Sequence, residues 1–340
     1  MSLADIMEPT QSLKDLRLPE KLRIEELVAF YFAHSHTLYP VINRKEFLEV
    51  LRCIHEDPLD PLARHPLSLF RVWMVLAIGA SSHCSISMVE ESEPTLYYNK
   101  ALEYFEAAFE YGDMPFTDVD DEFIHADGVH GHNSLEPSLM AVTRHILSLR
   151  QIASKISINV YGNRVRIRAN TPDRDDIIKS LHKELIDWRR STPFPLPDAH
   201  PRVPHLSSNW YDFNYYSHLA MLYRPSPLFP TLDSAQVKKL ADAASMSIRQ
   251  AYGMHRQKRI AYNWLNLLSL FTSTISLIYA TTAQPQELVS HLKQTQVIDD
   301  LELALCLSEK LSSKFAAAAS LRGIIGRVLG RYKEIAKGKS

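Results

Sequence analysis

Two histidines stand two residues apart, His34 and His36, inside the aromatic run YFAHSHTLYP, and HADGVHGH places His125, Asp127, His130 and His132 within eight residues. All are side chains that bind zinc. On a helix, positions i and i+2 point about 200° apart, so His34 and His36 cannot close on one metal as histidines at i and i+4 do. The second group lies in a polar, glycine-dotted stretch with nothing to fix its ligands, and a structural zinc site needs that rigidity. No metal site is assigned. The two histidines of the aromatic run read as packing residues at a helix end.

The remaining chemistry is thin. GIIGRVLG lacks the Gly-x-Gly-x-x-Gly order and a preceding strand, so it cradles no pyrophosphate; close helix packing explains its glycines. The final Gly-Lys-Ser imitates a P-loop but follows a helix, with none after it. No Gly-x-Ser-x-Gly elbow occurs. The pairs Asp120-Asp121, Asp175-Asp176 and Asp299-Asp300 fall in a loop or at helix starts, where the helix dipole favours acids. HRQKR, 255–259, reads as a solvated helix end, with nuclear import the alternative. The sequence assigns no catalytic residue and no cofactor, and points away from an enzyme.

The elements that would position any site are helical. Glycine is scarce, 10 of 340, and proline, at 19, supplies the punctuation. A first helix is predicted over 22–38, stopped by Pro40; Asn43 caps a second, with Glu46 three residues on as in a capping box. Further helices are predicted over 66–82, 93–111, 135–159, 171–190, 208–223, 233–255, 262–282 and 298–337, the last broken near Ser312. In the helix over 171–190, Thr171 caps, Pro172 takes the first position and Arg189 and Arg190 fill the last turn. No strand alternation or repeat is found. The expected fold is all-α, an irregular multi-helix bundle in a single large domain over 22–337, with a flexible segment 1–21 and an exposed loop 113–133.

Composition bounds the function. Net charge is −1 and the pI near 7.0, so no global basic field draws phosphates. Three scattered cysteines, Cys53, Cys84 and Cys306, make neither a disulfide scaffold nor a Cys-x-x-Cys motif and suit a reducing compartment. The N-terminus lacks a signal-peptide pattern and no glycosylation sequon occurs, so secretion is not expected. One segment, 261–286, has 26 residues without a charge, long enough to cross a bilayer. Its asparagines and hydroxyls, and the lack of a second span, favour a buried core helix; no membrane is expected.

Several landmarks come in a fixed order. His36, Tyr39 and Pro40 end an aromatic helix that runs into Phe47 and Leu48; VLAIGASS carries Gly79; IDWRRSTPFPLP carries Trp188; YYSHLAMLYRPSP carries Arg224, Pro225, Ser226 and Pro227; Cys306 precedes KLSSKFAAAASLRGIIGRVL. This order resembles the fungal-specific transcription factor domain, the regulatory middle region of zinc-binuclear-cluster activators, over about 22–332. The resemblance implies transcription regulation in the nucleus, through protein contacts or an inducer pocket, in a setting such as a metabolite gene cluster. It gives His36, Pro40, Phe47, Gly79, Trp188, Arg224, Pro225 and Cys306 structural roles. Implied partners are other proteins, a second copy or a related transcription factor. The family's six-cysteine cluster is absent from these residues, so no direct DNA binding is expected of them. The family's Trp-Trp and Gly-Arg-Pro block is also missing near 111–114, which predicts bare apolar surface on the helices 66–82 and 93–111. A helical enzyme or ligand-binding protein is the alternative reading.

Overall fold

The computed structural model describes residues 16–57, 59–87, 92–110, 139–162, 174–283, 288, 292 and 294–337. Among them are thirteen α-helices and no strand, so the all-α class holds. The loop 113–133, with its histidine group, and the cap residues Thr171 and Pro172 lie outside the described residues. The helices gather into two compact units, residues 1–143 and 144–340.

The first unit holds α1 (Lys21–Leu38), α2 (Arg44–Glu56), α3 (Pro61–Arg64), α4 (Pro66–Ser87), α5 (Ser92–Leu102) and α6 (Phe105–Glu110). Asn43 caps α2 through its side-chain oxygen, which accepts from the Lys45 and Glu46 N–H groups at 2.9 and 3.2 Å. Phe47 and Leu51 turn inward from α2, while on its outer face Arg52 bridges Glu49 and Glu56. The core forms where Ile24, Leu27 and Tyr31 of α1 meet Val72, Val75 and Leu76 of α4. At that crossing a Cβ on Gly79 would stand 2.5 Å from the Leu27 carbonyl oxygen, so the helices approach closer than any other residue allows. The helix predicted over 93–111 is in fact two, because Glu103 and Tyr104 bond back three residues in a tight turn under which Lys100 pairs with Glu103 at 2.6 Å.

α7 (Leu139–Ile156), most of which belongs to the second unit, runs into a π-helical turn, Ser157–Tyr161. There follow α8 (Arg174–Arg190), a short 3₁₀ turn (Pro204–Leu206), α9 (Ser208–Tyr223), α10 (Ser234–Arg256), α11 (Trp264–Thr282), α12 (Val297–Ser312) and α13 (Ala316–Ala336). One core joins the inner faces of α7 to α10, including Leu149, Ile152, Leu181, Leu185 and Leu240. A second joins α10 to α13 through Ile248, Leu270, Leu277, Leu301 and Ile325. Asp233 and Gln236 close a reciprocal capping box at the start of α10. Its other end is a Schellman stop: the Arg259 N–H donates to Met254 and the Lys258 N–H to His255, with Lys258 left-handed at φ 55°.

The uncharged segment is α11. Its inward hydroxyls are satisfied by protein: Ser273 donates to the buried Ser247 hydroxyl at 2.9 Å, and Thr274 and Thr281 to carbonyls one turn back. A second helix passes the same bilayer test by length and composition, against the single candidate read from sequence. It is α4, half of whose apolar window is buried in the protein.

Candidate functional site

Between α2, α3 and the start of α4 lies a cavity of about 460 Å³. That is within the range, roughly 300 to 1,000 Å³, that small ligands fill. Ile42, Phe47, Val50, Leu62 and Leu67 supply apolar walls, with Asn43, His65, Ser68 and Arg71 as polar points. The polar points are not equally open. Asn43 is committed to the α2 cap, and the His65 Nδ1 accepts from the Leu67 N–H at 3.3 Å. Of the two carboxylates at the rim, Glu49 is held by Arg52 at 2.6 Å. Arg71, half-buried on α4, makes no hydrogen bond or ion pair with any described residue. The arrangement suits holding a small, largely apolar molecule with an acceptor or anionic group on Arg71.

Phe47 places one of the landmark residues in this wall, and its ring meets Phe32 edge-on at 5.7 Å. His36 packs on Phe32 as well, 5.1 Å between ring centres. Its Nδ1 is buried without a partner, and burial, with Arg44 nearby, pushes its pKa down to about 4. His34 instead stacks on Phe30 at 5.5 Å. The two histidines thus enter different ring contacts, as the i, i+2 spacing requires. Pro40 follows the end of α1, and Gly79 sits at the α1–α4 crossing.

The other landmarks lie in the second unit. Trp188 is buried in α8; its indole N–H donates to the His145 carbonyl at 2.9 Å, and its ring stacks on the His145 ring at 4.8 Å. The His145 Nε2 and the Tyr211 hydroxyl beside it are buried without partners. Desolvation first, then Arg189, lowers the His145 pKa to about 4. Arg224 ends α9 and gives its Nε–H to the Tyr161 hydroxyl at 2.8 Å, which donates in turn to the Met221 carbonyl at 2.5 Å. The π-helical turn carries Tyr161 to that helix end. Pro225 follows as the helix stop, and Cys306 is a half-buried free thiol on α12.

Two groupings escape the sequence. Asp300, read as a dipole acid, is 2% exposed and receives Arg249 at 2.6 and 3.0 Å and the Ser245 hydroxyl at 2.5 Å. The Arg249 side chain is also raised above its ordinary pKa, first by that bond. The cavity with Arg71 is the other, since its walls come from three helices and no local spacing marks them. Among the described residues no three His, Cys, Asp or Glu side chains gather to hold a metal.

The chain is 24% identical over 167 residues to Pyrimidine pathway regulatory protein 1 of Saccharomyces cerevisiae, a match covering 47% of this chain and 18% of that protein's length. No family model matches. No solved structure matches either. In composition, fold and partial likeness, the chain is an all-α protein similar in part to a fungal pathway regulator.

Proposed function

We propose that the chain is a non-enzymatic regulatory module of a transcription regulator, working in the nucleus through contacts with other proteins, with the first-unit cavity as an inducer pocket. The observation that carries this reading is the match to a yeast pathway regulatory protein, together with the ordered landmarks from His36 to Cys306. The pocket supports it: apolar walls and one open guanidinium suit a small metabolite better than a macromolecule.

The test is to fuse residues 1–340 to an unrelated DNA-binding module and read a reporter gene in yeast nuclei. The fusion is expected to change transcription, and Val50→Trp, which fills the cavity, to alter the response to added metabolites. A folded, nuclear fusion with no effect on the reporter would overturn the regulatory reading. The cavity also favours a second reading, a ligand-binding protein with no transcriptional role. Metabolite binding to the purified chain, lost in Val50→Trp and accompanied by a silent reporter, would establish that instead.

A further inference from the structure

Eight of the nineteen residues of α11 are buried, and the side opposite them is bare. Trp264, Leu265, Leu268, Phe271, Ile275 and Tyr279 are 55, 70, 46, 39, 37 and 37% exposed. At 100° per residue, all but Leu265 fall within an arc of about 80°, and Leu265 borders it, so they form one stripe running roughly 22 Å along the helix. At about 200 Å² per side chain, the exposed fractions amount to roughly 600 Å² of contiguous apolar surface. A solitary soluble protein rarely shows more than that.

The stripe carries no charge, because none occurs over 261–286. Its threonine hydroxyls are closed as well: Thr272 donates to the Leu268 and Ser269 carbonyls, and Thr282 to those of Ile278 and Tyr279. The polar tips left on the stripe are the Trp264 indole N–H and the Tyr279 hydroxyl, which sit at its two ends and keep water or a partner there. A charged partner finds nothing complementary on such a face, whereas a second copy presents the same uncharged, mainly apolar surface. We propose that α11 is a homodimer interface, packed antiparallel on α11 of a second copy about a two-fold axis near Phe271 and Thr272.

The geometry favours this occupant in three ways. Two stripes bury roughly 1,200 Å² in total, at the lower limit of stable interfaces. Antiparallel pairing about that axis sets Trp264 against Tyr279 of the second copy, aromatic on aromatic at both ends, and the small Thr272 near the axis permits close approach. Helix dipoles oppose one another in that arrangement. At the open end, Phe315 meets the Trp264 ring edge-on at 6.2 Å, a contact already present in the single chain. The proposal stands whether or not the chain regulates transcription.

The experiment is sedimentation velocity on the full chain from about 0.1 to 100 µM, where an interface of this size should dissociate. A monomer–dimer equilibrium is expected. Phe271→Glu and Phe271→Lys each set like charges together at the axis and should weaken the dimer by roughly a hundredfold or more. An equimolar mixture of the two should restore it. Leu265→Ser, the milder change, should weaken it about tenfold. Each variant should melt like wild type at concentrations where wild type is monomeric, since the altered side chains are exposed. Three results would overturn the proposal: a monomer throughout, a dimer indifferent to all three substitutions, or a monomer that floats with phosphatidylcholine vesicles through this stripe, which would make a bilayer the occupant.

Discussion

His145 lies under Trp188 with one ring nitrogen unpartnered, an arrangement that only the neutral ring tolerates. Unfolded, a histidine protonates near pH 6.5; folded, this one resists until about 4. Between those values the unfolded chain binds more protons, so stability is full above about 6.5, falls as pH drops, and levels below about 4. The expected loss from His145 is roughly 3 kcal/mol, with His36 adding in the same direction. Urea midpoints of wild type and His145→Gln at about pH 7.5 and 4.5 measure it, and the variant should show the shallower pH dependence. Parallel curves would mean that the ring takes up its proton in the folded state. Little of this was legible in the sequence. Trp188 and His145 are 43 residues apart, and only the fold stacks them. The resemblance implied a structural role for Arg224, but not its bond to Tyr161, 63 residues away.

At the scale of elements, local rules read well wherever a local bond settles the outcome. Asn43, read as a cap, does cap the helix that follows, and Pro40, read as a stop, follows a helix end; the caps Asp233 and Asn263 are found at, and one residue inside, the predicted helix starts. Local rules failed where distant packing decides, as at the break between α5 and α6. HRQKR shows both sides: a helix end was expected, but Arg259 is held by the Leu206 carbonyl at 2.8 Å, a contact no spacing announces. That end also carries a testable strain. Lys258 occupies the left-handed position where glycine is usual, at a cost of about 1 kcal/mol for a side chain. Lys258→Gly should therefore stabilise the protein by up to about 0.5 kcal/mol, after the entropy glycine adds to the unfolded chain. A calorimetric melting temperature higher by up to about one degree is the expected result. A lower one would show that the lysine side chain makes a favourable contact outweighing its backbone strain.

For the molecule as a whole, the sequence misplaced the bare apolar surface. It was expected on the helices over 66–82 and 93–111. There, among the described residues, the large exposed apolar side chains number one per helix, Ile78, Tyr98 and Phe105, while α11 carries six. A helix of nearly uniform apolarity does not announce which side its neighbours will cover, and the first-unit cavity was hidden for the same reason. Charge is more legible, because it sums without knowledge of the fold. A net charge of −1 leaves little field to attract phosphates, and the structure spends many cations internally: Arg189 on Asp212, Arg249 on Asp300, Lys155 on Glu184 and Lys333 on Glu302. Residues 1–340 should therefore show no sequence-specific DNA binding at about 150 mM salt, where residual attraction is largely screened. Fluorescence anisotropy against a random-sequence DNA pool, repeated between about 50 and 200 mM salt, measures this, and any weak affinity should fall with a slope of no more than one or two displaced counterions. Saturable binding that selects one sequence would locate a DNA-reading face on these helices.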